Sequence, residues 1–403
     1  MLQSVSAARA ITPKSTLQDV TVWHSGGRIT KVESSGEENL DSAAKLGSQS
    51  GQTGATPALT LVPGFIDIHT HGADGAQVID GTLEALQKMA AFYARHGVTG
   101  FLAGVFGSQE QIEAGIDCCV DWLEQAASNS RKHAAGAALL GIYLEGPFLS
   151  PQRPGAFAPE TIVAPSVGQL AHYIERARGH LRLLTLAPEV KGAENLIDLA
   201  TRHGIVCAIG HSDATYEEAL QGASMGVTHV THAFNAMRGL HHRDPGAIGA
   251  ALTDDRFTVE VIADGVHVHP AVVKLLLTKP AANVILITDS VPGAGLPSGK
   301  YAFRDVDVIV KDGEIRLADG TLAGSSLTME KGLSNLVRLC GASVPNAVST
   351  ATANPSRLLG LGSNKGQIAP GFDADITALT SEFEVAWTMV NGRIVYRTPW
   401  AEV

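Results

Sequence analysis

Residues 65–72 read FIDIHTHG, a short apolar run that ends in His69 and His71. Such a run favours a buried β-strand. Side chains alternate along a strand, so residues two apart point to the same side and both imidazoles can reach one ion. An H-x-H pair alone is a weak signal, because it also occurs on surfaces and in cores. After PGFID and before a glycine, at the start of a repeating strand and helix pattern, it predicts a metal site.

Four more apolar runs end in a histidine or a carboxylate: LLGIYLEGP, VCAIGHS, VTHVTHAFN and VILITDS, which carry Glu145, His211, His232 and Asp289. The carboxyl ends of parallel strands meet at one face of a barrel, so we expect these side chains to meet there. Nitrogen and oxygen ligands suit Zn²⁺ or Fe²⁺. Singly, each histidine could be a satisfied core residue, and each carboxylate could cap a helix. His229 should face away from the others, and we interpret it as structural.

Residues 63–362 alternate eight apolar runs with amphipathic helix patterns, which predicts an α/β fold, a (β/α)8 TIM-like barrel. Residues 1–62 and 363–403 carry hairpin signals and are expected to pair as one small β-sandwich domain. Residues 34–58 are rich in Gly, Ser and Thr and are predicted to form a mobile loop. Residues 325–361 are expected to form helices that pack on the barrel.

The composition of the 403 residues limits the classes of partner. A net charge of -10 argues against nucleic acid or an anionic membrane surface. The sequence has no apolar run long enough to span a bilayer and no signal-peptide pattern, which predicts no membrane association. The cysteines match no zinc motif and are interpreted as reduced residues of a cytoplasmic protein. They are Cys118, Cys119, Cys207 and Cys340.

Asp289 stands at the end of the eighth predicted strand. A carboxylate beside a metal-bound water can take a proton from that water and return it to a leaving amine. The alternative role is a helix N-cap. The position of Asp289 favours the catalytic role of general base in a metal-dependent hydrolase.

Several motifs together resemble the N-acetylglucosamine-6-phosphate deacetylases of the amidohydrolase superfamily. The motifs are PGFIDIHTHG, LEGPFLSPQRPGAF, GHSDA, THAFNAM, IADGVHV, LITDSVPGAG, AGSSLTM and NPSRLLGL. They occur in order from about residue 60 to the end of the chain. The resemblance implies hydrolysis of N-acetylglucosamine 6-phosphate to glucosamine 6-phosphate and acetate.

The resemblance also implies a division of roles among the predicted ligands. Glu145, His211 and His232 match the ligands of a metal present in all members, whereas His69 and His71 match those of members with two metals. Glu145 would then bridge the two ions, and Asp289 would touch the second ion. One or two divalent ions per subunit are expected, with Zn²⁺ or Fe²⁺ first and Mn²⁺ or Co²⁺ as further candidates.

The substrate residues follow from the same resemblance. Arg243 matches an arginine that reaches the phosphate in the neighbouring subunit, so a homodimer is implied, and its forked donors suit a phosphate. This local positive charge would offset the net charge of the chain for an anionic amino-sugar phosphate. The full set of expected substrate-binding residues is Ala156, Asn235, Ala236, Arg243, His267, Leu322, Ala323 and Gly324.

Two departures from the family pattern lie near the expected sugar pocket. Phe157 stands where many members have His or Gln, and residues 101–108, FLAGVFGS, lack a Thr-rich stretch. These changes allow the hypothesis that a related sugar, such as N-acetylgalactosamine 6-phosphate, is preferred.

Two other functions stay open from the sequence. One is hydrolysis of a cyclic amide or a dipeptide on the same barrel, although no strand-end lysine is evident. The other is a non-catalytic scaffold, although no ligand or base has been lost. Metal analysis with an acetate-release assay distinguishes these functions.

Overall fold

The computed structural model describes residues 2–12, 15–39, 58–127, 136–303 and 306–401. Most of the loop predicted over residues 34–58 therefore lies outside the described residues. The part of it that is described contains a short strand over residues 36–39, where the sequence predicted only loop. That strand pairs with the chain near residue 17, which supplies the hydrogen-bond partners.

The strands of the described residues are, in chain order, β1 (Gln3–Ile11), β2 (Ser15–Ser25), β3 (Arg28–Glu33), β4 (Gly36–Asn39), β5 (Thr60–Pro63), β6 (Phe65–Thr70), β7 (Gly72–Ala73), β8 (Ala76–Gln77), β9 (Val98–Val105), β10 (Ala138–Glu145), β11 (Leu181–Leu186), β12 (Val206–Ile209), β13 (Val227–Val230), β14 (Thr258–Ile262), β15 (Val284–Ile287), β16 (Gly299–Phe303), β17 (Val306–Lys311), β18 (Glu314–Leu317), β19 (Ile376–Leu379), β20 (Val385–Val390) and β21 (Arg393–Arg397). The helices are α1 (Leu83–Arg95), α2 (Gln109–Ala127), α3 (Val167–Arg176), α4 (Ala193–Arg202), α5 (Tyr216–Met225), α6 (Gly246–Thr253), α7 (Pro270–Leu276), α8 (Met329–Arg338), α9 (Val344–Thr350) and α10 (Ala353–Leu358).

Eight strands form the central sheet, in the spatial order β6, β9, β10, β11, β12, β13, β14 and β15. Each neighbouring pair is parallel. The two edge strands meet where they end, because the Asp289 amide donates to the His69 carbonyl at 2.9 Å and the His71 amide donates to the Ser290 carbonyl at 2.8 Å. The predicted TIM-like barrel is confirmed, and its strand carboxyl ends share one face.

The helices pack on this barrel through one apolar face each. In α1, the Thr82 hydroxyl caps the first turn by accepting from the Ala85 amide at 3.2 Å. Leu86, Met89 and Tyr93 follow at helical spacing, and all three are buried. The helix therefore begins at a cap that the sequence contains and is held by burial against the sheet.

Both ends of the chain build the second large sheet, as the hairpin signals predicted. Its strands run in the order β21, β20, β19, β5, β1, β2 and β3, with β4 beside β2. Strand β5 pairs parallel with β1 and antiparallel with β19, so it joins the two chain ends. Val22, Leu61 and Trp387 are buried in the separate core of this small β-sandwich. The exact division, after residue 62 and before residue 363, stays our proposal.

Two features near the barrel face were not predicted. Strands β16, β17 and β18 form an antiparallel three-stranded sheet between β15 and α8. Helix α6 is the other, and its small buried residues lack a clear amphipathic pattern. Among the described helices, none is both long enough and apolar enough to cross a bilayer.

Candidate metal centre and substrate cavity

The structure brings the six predicted ligands together at the carboxyl end of the barrel, in two groups of three. The first group contains His69, His71 and Asp289. Its two histidine Nε2 atoms lie 3.1 Å apart. Asp289 Oδ1 lies 3.3 Å from His69 Nε2 and 3.5 Å from His71 Nε2. These three atoms could hold one ion.

The second group contains Glu145, His211 and His232. His232 Nε2 lies 3.1 Å from both His211 Nε2 and Glu145 Oε1. Glu145 also reaches the first group, since its Oε2 lies 3.1 Å from His71 Nε2. The carboxylate of Glu145 therefore stands between the two groups.

The donor atoms fit a divalent metal ion. Ligands at about 2.0–2.1 Å from a tetrahedral Zn²⁺ lie roughly 3.3 Å from one another. The separations of 3.1–3.5 Å in the first group and 3.1–3.3 Å in the second match this spacing. The Nε2 atoms and carboxylate oxygens crowded together here offer more lone pairs than protons when the rings are neutral, as metal binding requires, and a cation would satisfy them.

In three of the histidine rings, a hydrogen bond made by Nδ1, on the side away from the cluster, sets which ring nitrogen is free. The Nδ1–H of His69 donates to Glu260 Oε2 at 2.9 Å, because a carboxylate can only accept. His71 Nδ1 donates to the Gly104 carbonyl at 3.2 Å, and His211 Nδ1 donates to a backbone carbonyl at 3.1 Å. Each Nε2 lone pair is therefore left facing the cluster, as a metal ligand requires.

The backbone at three of the ligands is left-handed. His211, His232 and Asp289 have φ values of 48°, 27° and 53°, each two residues after its strand has ended. Non-glycine residues rarely adopt this conformation, which costs about 1–3 kcal/mol at each position. The surrounding fold holds these side chains against their local preference, as is typical of functional residues.

Two glycines allow the chain to approach the ligands closely. A Cβ atom at Gly104 would lie 2.6 Å from His71 Nδ1. Gly155 has a φ of +59°, and a Cβ atom there would lie 2.9 Å from His211 Cε1. A side chain at either position would displace a ligand ring, because real contacts of this kind are longer.

The carboxylates make the electrostatic potential at the cluster negative. Burial lowers the pKa of His69, but three nearby carboxylates outweigh it and raise that pKa well above its ordinary value. The carboxylates are those of Glu260, Asp289 and Glu145. Burial raises the pKa of Glu145, whereas the charge on His69 and histidine hydrogen bonds reverse this and hold that pKa well below its ordinary value. The same field would attract a divalent cation.

The residues that support the candidate ligands from behind were not predicted from the sequence. Glu260 is fully buried, and its Oε2 accepts from the His69 ring and also from the His232 backbone amide at 2.9 Å. His229 Nε2 lies 3.0 Å from the other oxygen of Glu260. His229 therefore does not face away from the centre, as we expected, but reaches it through Glu260. The missed signal was a lone carboxylate inside the apolar strand TVEVI.

Asp67 is a second missed residue, inside FIDIH. Its side chain is buried and accepts from the Thr288 hydroxyl at 2.6 Å and from the Thr288 and His69 amides at 3.3 and 3.4 Å. Burial raises the pKa of Asp67 to about 7, against the effect of these bonds. Asp67 thereby links β6 to the end of β15 directly beneath the first group.

The ligands open into a cavity of about 540 Å³, within the usual range of small-molecule sites. Most of the predicted substrate residues line it, namely Ala156, Asn235, Ala236, His267, Leu322, Ala323 and Gly324. Phe157 lines it as well. Arg243 does not line the cavity of its own chain, and its guanidinium contacts the neighbouring His242 at 2.8 Å.

His267 is oriented by a single carboxylate. Its Nδ1–H donates to Asp264 Oδ2 at 2.6 Å, and its backbone amide donates to Asp264 Oδ1 at 2.8 Å. The other ring nitrogen is thereby left for the cavity. Burial raises the pKa of Asp264, but the hydrogen bonds and the charge of His267 lower it below its ordinary value.

Comparison with known proteins identifies the family. Residues 60–395 match the Amidohydrolase family. The chain belongs to that family. This amidohydrolase is 34% identical to the N-acetylglucosamine-6-phosphate deacetylase of Vibrio furnissii over 97% of its own length and 94% of the relative. It is 35% identical to the N-acetylgalactosamine-6-phosphate deacetylase of Escherichia coli O157:H7 over 83% and 87% of the two chains.

A solved structure agrees with this assignment. It is a mutant of N-acetyl-D-glucosamine-6-phosphate deacetylase from Mycobacterium smegmatis, in complex with N-acetyl-D-glucosamine-6-phosphate. The two folds superpose with a TM-score of 0.86 at 30% identity and cover 98% of this amidohydrolase and 99% of the other chain. The resemblance to this deacetylase family is thereby confirmed, and the protein is a hydrolase of the amidohydrolase superfamily.

Proposed function

We propose that the protein hydrolyses N-acetylglucosamine 6-phosphate to glucosamine 6-phosphate and acetate. The observation that carries the proposal is the pair of ligand groups joined by Glu145, at the base of a cavity lined by the expected substrate residues. Relatives that cover most of the chain are named for this reaction. Cyclic amides and dipeptides are not favoured, and a scaffold without activity would not need an intact set of ligands.

The proposed roles follow the two groups. Glu145, His211 and His232 would hold one divalent ion, and His69 and His71 with Asp289 would hold a second. We propose Zn²⁺ or Fe²⁺, because both accept imidazole and carboxylate ligands, with Mn²⁺ and Co²⁺ as further candidates. When bound, such an ion supplies Lewis-acid chemistry, since it lowers the pKa of water to about 7 and polarises an amide carbonyl.

The chain itself moves the proton. Asp289 Oδ1 faces the cluster, and the Asp289 side chain is 13% exposed and lines the cavity, so its carboxylate can accept the proton of the attacking water. The same carboxyl group then returns that proton to the amine that leaves. The backbone amide of Asp289 is held by the carbonyl of His69, which fixes the carboxylate beside the first group.

The substrate is positioned by groups on several loops. Asn235 and Ala236 follow β13, His267 follows β14, and residues 322–324 follow the three-stranded sheet. We propose that Arg243 binds the phosphate in the neighbouring subunit of a homodimer, because it is exposed and lies outside its own cavity. We further propose a cytoplasmic location.

The test is an assay of both products from N-acetylglucosamine 6-phosphate, with metal content measured on the same sample. We expect acetate and glucosamine 6-phosphate in equal amounts, and loss of both after chelation. N-acetylgalactosamine 6-phosphate is the paired substrate, and a clear preference for it would replace the glucosamine assignment. The absence of acetate from either sugar, in a preparation with metal bound, would refute the proposed function.

Arg243 can be tested by mixing two inactive variants. Arg243→Ala and Asp289→Asn, co-expressed with different tags, form mixed dimers in which one site has both residues only if Arg243 acts in the partner subunit. Random pairing would then restore about one quarter of the wild-type activity. If Arg243 acts in its own subunit, mixing restores nothing.

A further inference from the structure

The cavity has two unlike sides. The barrel order places β9 directly across from β13 and β10 across from β14. The loops that follow β13 and β14 contribute the polar residues Asn235 and His267 to the cavity. The loops that follow β6, β9 and β10 contribute polar residues, among them Gln77, Ser108 and Gln111, and also the three apolar residues Ile79, Phe106 and Phe157. We call these three residues the apolar side of the cavity.

The apolar side begins at the ligands themselves. The Phe106 ring packs edge-on against His71 at 4.9 Å between centroids, and Phe157 packs against His211 in the same way at 4.8 Å. The two phenylalanine rings lie 5.7 Å apart, also edge to face. They form a continuous aromatic wall, with no group that could bond a sugar hydroxyl.

An amide bound at the ligands must direct its two substituents to different sides. The amide group is planar, so the acyl carbon and the sugar on the nitrogen leave the carbonyl in divergent directions. If the sugar lies toward Asn235 and His267, the acyl carbon points across the barrel toward Phe106. This placement of the sugar rests on the proposed function.

We propose that Ile79, Phe106 and Phe157 form an acyl pocket, and that the enzyme removes N-acyl chains longer than acetyl from an amino-sugar phosphate. Ile79 is 4% exposed and lines the same cavity as the two rings. Each additional methylene that becomes buried there improves kcat/KM by about fourfold until the pocket is full. Under this proposal Phe157, which departs from the family pattern, selects the acyl chain and not the sugar, in contrast to the expectation from the sequence.

The experiment measures kcat/KM for the N-acetyl, N-propionyl, N-butyryl and N-hexanoyl derivatives of glucosamine 6-phosphate. All four release the same amine, so a single assay of glucosamine 6-phosphate serves the series. We expect the propionyl and butyryl substrates to be turned over at least as well as the acetyl one. A tenfold or greater loss from acetyl to propionyl overturns the acyl pocket but leaves the proposed function intact. Failure of the proposed function would give a different result, because the acetyl substrate would then also release no amine.

Variants of the two phenylalanines test whether the aromatic wall causes the dependence of kcat/KM on acyl-chain length. Phe106→Ala and Phe157→Ala should flatten the dependence of kcat/KM on acyl-chain length. General structural damage would instead lower kcat/KM by the same factor for all four substrates. Ile309→Ala is the matched control, since Ile309 is 37% exposed on β17 and does not line the cavity. It should keep the wild-type dependence. An unchanged dependence in both phenylalanine variants would place the acyl chain elsewhere and overturn the proposal.

Discussion

The two ligand groups are held by the fold in different ways. In the first, His69 and His71 come from one strand, and the carboxylate of Glu260 and the carbonyl of Gly104 fix their rings from behind. In the second, Glu145 ends β10, and the two histidines follow the ends of β12 and β13 with left-handed backbones. The buried Nδ1 of His232 has no hydrogen-bond partner in the part of the chain that the structure describes.

This difference indicates what each group depends on. The two histidines of the first group are placed by strand alternation and by one buried carboxylate beneath them, whereas Asp289, the third member, also has a left-handed backbone. The geometry of the second follows from strained loops, which only the assembled barrel can hold. Glu145 contacts both groups, and Glu260 bonds a side chain of one and the backbone of the other. The two groups are therefore coupled and need separate tests.

Metal removal should have the largest effect. A chelator is expected to abolish hydrolysis, and re-addition of Zn²⁺, Fe²⁺, Mn²⁺ or Co²⁺ should restore it to different extents. Metal that binds only the folded chain also raises stability, by about 2.7 kcal/mol at a free concentration about 100 times Kd. Calorimetry with and without metal should show a higher Tm in the loaded protein. Full activity in a preparation free of metal would refute the metal mechanism.

Asp289→Asn should have the next largest effect, because it removes the proposed base and leaves a side chain of the same size. We expect kcat to fall by about 10²–10⁴-fold with little change in KM. Steady-state kinetics with metal content measured on the same sample test this. The second group should keep its ion, so a loss of kcat with metal retained separates proton transfer from metal binding. Near-normal turnover would remove Asp289 from the role of base.

The double change His69→Asn with His71→Asn tests whether the groups hold separate ions. We expect metal content to fall by one ion per subunit, with a smaller loss of kcat than Asp289→Asn causes. Elemental analysis of the dialysed protein measures this directly. If both groups together hold one ion, the variant should instead lose all of its metal, and an unchanged content would exclude the pair as ligands.

Glu260→Gln should weaken metal binding without removing a ligand. The amide keeps the size of the side chain but not the charge that orients His69, so metal affinity should fall by about 10–100-fold. Competition with a chelator measures the affinity of each ion, and the first group should be affected more than the second. His229→Gln is the matched control one hydrogen bond farther from the ligands, and it should have the smaller effect. Equal effects of both changes would indicate general disruption.

Strand alternation and apolar runs were enough to predict the barrel and the six side chains that meet at its carboxyl end as candidate ligands. The supporting residues were harder to predict, because a buried carboxylate such as Glu260 is recognisable only when its partners are known. His229 shows the same limit, since strand alternation predicted that it would face away, whereas the carboxylate of Glu260 connects it to His69. The three-stranded sheet over the cavity was missed because short exposed strands carry little apolar signal.

The sequence by itself determined the order of strands and helices, the residue types at the strand ends and the family resemblance, because these depend on local pattern and spacing. Only the tertiary structure decided that Glu260 supports both groups and that Phe106 and Phe157 form one wall, whereas the resemblance had already implied a bridging position for Glu145. Those relations join residues far apart in the chain. Closure of the barrel creates them, and no local pattern encodes which side chains then meet.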